Sequence, residues 1–431
     1  MRICLLCYRG NPYCGGQGIY LRHLTRELTG QGHEVTVLVG PPYPDPMPWA
    51  RIERLPNHQF WGRRSAFLPP EDPMAILGPL NFFEFATSRL GYFPEILAFS
   101  LRAAGRLRAL HRERPFDVIH DVETLGYGLL LARSRALPAV STVHHPLSRD
   151  MAAHLAHSRS WTERYYNVVF FPLIMQGIVA RRVDAVITAT EAGRKEIIRA
   201  FGVRPERIRV VLTGIDVHLF SPDEGVPRQS GEILFVGNAQ DPRKGMWELL
   251  QALRLLPDGT HLTVVDEGEP AKPYAPALAR SMGLSHRVSF TGRLSQEALV
   301  HRYRRAALLA LPSRFEGFGL PVAEAMACGT PVVASRAGSL PEVLGQDGQG
   351  GILVPPGDPG ALARAMSEIL SRPAWARQLG AAARRRAEQC FSWERTARGT
   401  AEVYGSVMHR AKAPGAAGSE GNARWNGART N

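Results

Sequence analysis

Short apolar strands alternate with helix-like stretches along this sequence, and the alternation begins twice. Residues 2–8 and 34–39 read as buried strands bracketing a helix from about Gln17 to Gly30, in which Ile19, Leu21, Leu24 and Leu28 recur near helical spacing. Further strands are expected at 117–120, 139–143, 184–188 and 208–212. The pattern restarts at Glu232-Ile233-Leu234-Phe235-Val236 and continues near 261–265, 287–290, 307–311 and 331–334. Strands that are apolar throughout and separated by helices belong in parallel sheets covered on both faces, so the fold class is α/β with two such units. A chain of 431 residues has room for two separate cores. Between the units, Ser221-Pro222-Asp223-Glu224-Gly225-Val226-Pro227-Arg228 is polar and rich in proline and glycine, and reads as a hinge.

The stretch from Ser313 to Pro331 carries the strongest chemical signal. Glu316 and Glu324 stand eight residues apart around Gly317-Phe318-Gly319-Leu320-Pro321. Pro321 suits the opening of a helix, where its missing N–H costs nothing, and the two glycines permit a tight bend before it. The unpaired N–H groups of that helix start and its dipole favour an anion. Two carboxylates flanking an anion site suit a ligand with a phosphate between two sets of hydroxyls, as in a nucleotide sugar.

This segment resembles the E-x7-E signature of retaining family-4 glycosyltransferases, and within that family the sequence looks like the phosphatidylinositol mannosyltransferase-like enzymes. Gly237-Asn238-Ala239-Gln240-Asp241-Pro242-Arg243-Lys244-Gly245 is similar to the family's G-R-x(n)-K-G phosphate-binding segment. "FTGR" at 290–293, "GILVPPGD" at 351–358 and the N-terminal "GGQGIYLRHLTRELTGQGHEVTVL" extend the likeness over most of the chain. The resemblance implies a GT-B fold of two Rossmann-like domains facing across a cleft. The expected organisation is an acceptor-side domain at 1–220, a hinge at 221–230, a nucleotide-sugar-binding domain at 231–392, a helix at 393–411 crossing back, and a disordered tail at 412–431. The implied reaction moves a hexose from a UDP- or GDP-linked sugar to an acceptor hydroxyl with retention of configuration.

The same resemblance implies residue roles. Glu316 would hold hydroxyls of the donor sugar and Glu324 the ribose, with Phe318, Gly319 and Leu320 at the phosphate. Lys244, scarce as a lysine in this arginine-rich chain, would meet the diphosphate, and Thr291, Gly292 and Arg293 the base and diphosphate region. Gly237 opens the phosphate segment, but Asn238 stands where the family usually has arginine, so Arg243 is the candidate second cation. Gly15 and Gly16 would close on the phosphate from the opposite wall. Family members often carry H-x-H after the fourth strand; here His120 is followed by Asp121 and Val122, so only the first histidine is present. His144, preferred over His145, is expected near the acceptor, and Glu123 is a candidate contact for acceptor or sugar. There is no Asp-x-Asp tripeptide, which favours catalysis without metal, and no cofactor is implied.

Three other readings are weaker. A dinucleotide enzyme should show G-x-G-x-x-G and an acid ending the second strand, whereas Leu21 occupies the third-glycine position and the strand ends Val39-Gly40-Pro41. A glycoside hydrolase needs two carboxyls about 5–9 Å apart on either side of a sugar, not around a phosphate-type helix start. A non-catalytic relic that binds the nucleotide sugar remains open on the Asn238 and Val122 departures.

The formal net charge of +13 fits either a solvated basic surface or contact with an anionic membrane, and no nucleic-acid motif accompanies it. The acceptor is left open between lipid-linked and glycan classes. Five scattered cysteines do not make a disulfide framework and fit a reducing cytosol. No secretory signal is visible, and the longest apolar run, 168–180, is interrupted by Pro172 and Gln176 and is too short to span a bilayer. The expected location is cytoplasmic, with peripheral contact on the inner face of the membrane.

Overall fold

The computed structural model describes residues 1–11, 16–57, 60, 73–134, 136–144, 146, 151, 155, 160–161, 164–165, 172–266, 274–345 and 349–412. The first sheet contains β1 (Arg2–Cys7), β2 (Glu34–Val39), β3 (Arg51–Arg54), β4 (Val118–Val122), β5 (Ala139–Thr142), β6 (Ala185–Thr188) and β7 (Ile208–Val210), in the order β3-β2-β1-β4-β5-β6-β7. The second contains β8 (Glu232–Val236), β9 (His261–Val265), β10 (Val288–Phe290), β11 (Leu308–Leu311), β12 (Val332–Ser335) and β13 (Gly351–Val354), ordered β10-β9-β8-β11-β12-β13. Every strand pair in both sheets is parallel.

Parallel pairing follows from the sequence, because helices link the inner strands of each sheet and bury them from both sides. Leu5, Val37, Val118 and Val140 are buried in the first sheet, and Ile233, Leu262, Leu309 and Val333 in the second. The strand order reverses direction between β1 and β4, and again between β8 and β11. Crevices beyond the carboxyl ends of strands at such switch points are where open α/β sheets bind ligands.

Two strands were not anticipated. β3 reads Arg-Ile-Glu-Arg on the sheet edge with every residue at least partly exposed, so no buried apolar run announces it. β13 forms the other sheet's far edge, inside a segment first singled out as a family motif rather than as a strand. The chain between β3 and β4 also contains a helix, Pro79–Arg89, whose proline opens its first turn.

The helix Trp393–Lys412 leaves the second unit and packs on the first. Ala397, Val403, Tyr404 and Val407 join Ile3, Leu5, Leu21, Leu24 and Leu28 in one buried cluster. The expected tail is outside the described residues from 413 onward, and Lys412 closes the helix. Among the described residues, no helix is long and apolar enough to cross a membrane.

Candidate active site

A cavity of about 590 Å³ lies between the two units, walled by the residues that follow β1, β4, β5, β8 and β11. On the second unit's side, the loop after β11 carries Glu316, whose Oε1 accepts hydrogen bonds from Lys244 Nζ at 2.7 Å and Ser313 Oγ at 2.8 Å. The backbone of this loop is equally fixed. Glu316 O accepts from Ser339 N at 3.2 Å and Ser339 Oγ at 3.1 Å. Gly338 (φ 56°) lies so close that a Cβ there would stand 2.4 Å from Glu316 O.

Gly319, at φ 90°, turns the chain into the helix Leu320–Ala327, with Pro321 in its first turn. Left-handed backbone of this kind favours glycine. Glu324 projects from the helix, and its Oε2 accepts from Tyr303 OH at 2.7 Å. Phe318, Gly319, Leu320, Glu316 and Glu324 all line the cavity, so both carboxylates of the E-x7-E segment reach one space.

The 237–245 segment is pressed against this loop. Arg314 N donates to Arg243 O at 2.7 Å. Gly245, at φ 76°, packs against Pro312, where a Cβ would meet Pro312 O at 2.2 Å. Asp241 opens the short turn Pro242–Lys244, accepting from Arg243 N at 2.9 Å and pairing with the Arg243 guanidinium at 2.8 Å. Arg243 and Lys244 line the cavity. Gly237, Asn238, Thr291, Gly292 and Arg293 lie beyond the carboxyl ends of β8 and β10 and outside its lining. Asn238 turns its Oδ1 back to accept from Gln240 N at 2.9 Å.

The opposite wall comes from the first unit. Gly16, Gln17, Tyr20 and His23 stand on the first helix, Tyr8 and Arg9 follow β1, Glu123 follows β4 and His144 follows β5. His144 meets Tyr20 edge-on with ring centroids 4.8 Å apart. Trp393 stacks on His23 at 4.9 Å and touches Tyr20 at 5.8 Å, so the last helix also supplies part of the wall. Gly15 and His145 lie outside the described residues.

His120 is not in this wall. It is buried in β4, with Nδ1 at 2.5 Å from Tyr404 OH and Nε2 at 2.7 Å from Thr142 Oγ1. Burial, with a smaller contribution from His144, pulls its pKa down to about 3. A neutral imidazole tying the last helix to the sheet is therefore what the interior holds. Strand alternation explains the placement, since a strand-end residue faces the cleft or the covering layer according to its register. Tyr20, Asp216 and Trp393 line the cavity without any sequence signal, because their neighbours there come from elements far away in the chain.

Two facing parallel sheets with a ligand-sized cleft at their switch points define the GT-B class of glycosyltransferase fold. The family model "Glycosyltransferase Family 4" matches residues 14–219, and "Glycosyl transferases group 1" matches 218–386. The chain is 40% identical to the MMP alpha-(1->4)-mannosyltransferase of Mycolicibacterium hassiacum, over 96% of this chain and 100% of that protein. It is 31% identical to a D-inositol 3-phosphate glycosyltransferase of Xylanimonas cellulosilytica, over 93% and 94% respectively. Among solved structures, sucrose-phosphate synthase from Thermosynechococcus elongatus aligns with a TM-score of 0.73 and 26% identity, covering 95% of this chain and 100% of that one. HepE from Anabaena, solved with UDP and glucose, shares the fold with a TM-score of 0.66 and 22% identity, covering 94% and 100%. The chain belongs to the family-4 glycosyltransferases and is a glycosyltransferase of GT-B architecture.

Proposed function

We propose that this protein transfers a hexosyl group, with mannosyl the first candidate, from a nucleoside-diphosphate sugar to an acceptor hydroxyl with retention of configuration and without a metal. The observation that carries the reading is the Lys244–Glu316 pair at the glycine turn, facing a separate wall that has room for an acceptor. The 40% identical mannosyltransferase supports the choice of sugar, and the structure with UDP and glucose supports a nucleotide donor.

In this reading Glu316 holds sugar hydroxyls, Glu324 holds the ribose, and Lys244 meets the diphosphate together with the start of the helix after Gly319. Arg243 supplies the second positive charge that Asn238 does not, once its contact with Asp241 is exchanged for phosphate. Gly16 brings a backbone N–H group to the phosphates, Gly237, whose own N–H is donated to Val265 O at 3.0 Å, lets the chain pass close to them, and Thr291, Gly292 and Arg293 meet the base and diphosphate region. His144 stands beside the acceptor, and His120 acts at a distance by fixing β4 and Thr142.

As the bond from the anomeric carbon to the β-phosphate oxygen breaks, charge grows on that oxygen. Lys244 and the helix start stabilise it. The acceptor oxygen bonds to the anomeric carbon on the same face, and its proton leaves with the departing phosphate.

The test is nucleotide release from uridine, guanosine and adenosine diphosphate sugars, with and without chelator, followed by NMR of the anomeric proton in the product. Release that survives chelation with retained configuration supports the reading. Donor binding with no consumption under any acceptor would assign a non-catalytic relic instead. A role in cell-envelope glycolipid or polysaccharide synthesis, with peripheral membrane contact, predicts stronger sedimentation with anionic than with neutral vesicles.

A further inference from the structure

The helix Glu191–Phe201 links β6 to β7 in the first unit, and the N–H groups of its opening turn have no partner within the helix itself. Thr190 is its N-cap and accepts from Gly193 N through Oγ1 at 3.0 Å. Two more of these groups are met from the other unit. Glu342 accepts from Glu191 N through Oε2 at 2.6 Å and from Ala192 N through Oε1 at 2.7 Å. A carboxylate on two amides at the positive end of a helix makes charge-assisted hydrogen bonds, and here the helix and the carboxylate belong to different units.

Glu342 is also braced against the Glu316 loop. It stands on the short helix Leu340–Leu344, between β12 and β13. Ser339, just before that helix, donates through Oγ to Glu316 O at 3.1 Å and to Phe318 O at 2.8 Å. Leu340 packs on the glycine turn so closely that a Cβ added to Gly319 would stand 2.7 Å from Leu340 Cδ2. At the other end, Arg386 of the helix Pro373–Cys390 donates Nη2 to Glu342 O at 2.7 Å and Nε to Val343 O at 2.9 Å. The side chain that grips the first unit and the support of the Glu316 loop therefore lie on one fixed element. Ala189, which precedes the gripped helix, lines the same cavity as Glu316 and Gly319.

We propose that Glu342 is a positioning residue whose contact with the start of the helix Glu191–Phe201 is a latch that holds the cleft closed and sets the Glu316 loop against the first unit. The inference rests on the transferase reading only in giving that loop to the donor. Opening the cleft returns two N–H groups and a carboxylate to water, so the latch shifts a balance between open and closed forms. Donor selects the closed form, and its apparent affinity falls with the fraction of protein that is closed. Once donor saturates the cleft, the reaction runs as in the wild type.

The experiment measures the radius of gyration by small-angle X-ray scattering without nucleotide, affinity for UDP and GDP by calorimetry, and steady-state kinetics with UDP-glucose and GDP-mannose. The proteins are the wild type, Glu342→Ala, Glu342→Gln and Thr190→Ala, the last of which damages the same helix end from inside the first unit. For Glu342→Ala the expected result is a larger radius, nucleotide affinity and donor KM about 10-fold worse, and kcat within about twofold of the wild type. Glutamine keeps one acceptor oxygen without the charge, so Glu342→Gln falls between the two. Thr190→Ala lowers the melting temperature and keeps the radius and affinity of the wild type.

An unchanged radius in Glu342→Ala, unchanged nucleotide affinity, or a loss carried by kcat at saturating donor would each overturn the proposal. So would an equal rise in radius in Thr190→Ala, because the helix end and not the contact between units would then be the cause. A wild type that never consumes either donor would sink the transferase reading instead, with the radius comparison still deciding the latch.

Discussion

Lys244 Nζ and Ser313 Oγ converge on a single oxygen of Glu316, at 2.7 and 2.8 Å. A lysine from the loop after β8 and a carboxylate from the loop after β11 are thereby held together before any donor arrives. The pair keeps each charge partnered in a partly buried place, and in the proposed reaction both groups exchange partners when a sugar diphosphate enters. Lys244 would turn to phosphate, and Glu316 would exchange an ammonium for sugar hydroxyls.

Removing either partner separates these roles. Lys244→Ala is expected to lower turnover by about 10²- to 10³-fold, the usual cost of losing one preorganised contact to developing charge. Its circular dichroism should remain that of the wild type. Near-normal donor consumption by the folded variant would remove Lys244 from the mechanism. Glu316→Gln should weaken the sugar contact while the nucleoside diphosphate alone still binds, as measured by calorimetry.

Gly338 tests whether Glu316 depends on its backbone support. An alanine there would combine a φ of 56° with a Cβ 2.4 Å from Glu316 O. The expected cost is about 1–3 kcal/mol of stability, read by chemical denaturation, together with weaker donor binding because the Glu316 loop must move. Unaltered donor affinity would show that the loop tolerates displacement.

Tyr404→Phe removes one hydroxyl from the junction between the last helix and the first sheet. His120 Nδ1 then loses its partner in a fully buried place, at a cost of about 1–3 kcal/mol. Thr142, which His120 also meets, lies 3.3 Å from Tyr20 OH, and Tyr20 faces the cleft. A rise in acceptor KM is therefore expected beside the lower melting temperature, with donor affinity preserved.

His120 and its neighbour Asp121 respond oppositely to acid. Burial depresses His120 to about 3, so folding holds it neutral while the unfolded chain takes a proton below its ordinary 6.5; this contribution to stability is lost as pH falls. Burial raises Asp121 to about 6 from 3.8, despite hydrogen bonds from Leu125 N and Ser141 Oγ that favour its charged form. Its contribution is present below 3.8 and lost as pH rises through 6. Between pH 4 and 6 the two slopes oppose each other. Asp121→Asn removes the second and should make acid destabilisation steeper, by about 2 kcal/mol across that window. Urea denaturation at pH 4.5 and pH 7 measures it, and an unchanged difference would mean that Asp121 is charged to similar extents in both states.

Most strands of both sheets were legible because they are apolar throughout and their helices carry the complementary stripe. β3 was not, since an exposed edge strand need bury nothing. On the second unit, the E-x7-E segment announced its geometry locally: glycine, proline and the helix start build the turn within a few residues. The first unit's wall of the cleft offered no comparable local signal. His120 shares a strand end with Glu123, yet one lies in the interior and the other on the cleft.

The sequence by itself determined the two alternating α/β units, their parallel sheets and the glycine-proline turn between Glu316 and Glu324, because each follows from periodicity or short-range backbone chemistry. Tertiary structure decided which side chains meet. It put Lys244 on Glu316 across 72 residues of chain, sealed His120 beneath Tyr404 across 284, and brought Trp393 back into the cleft wall. Contacts over such distances depend on how sheets and helices stack. A linear pattern of residue types specifies the faces that must be buried and leaves to packing which buried or cleft-facing groups become neighbours.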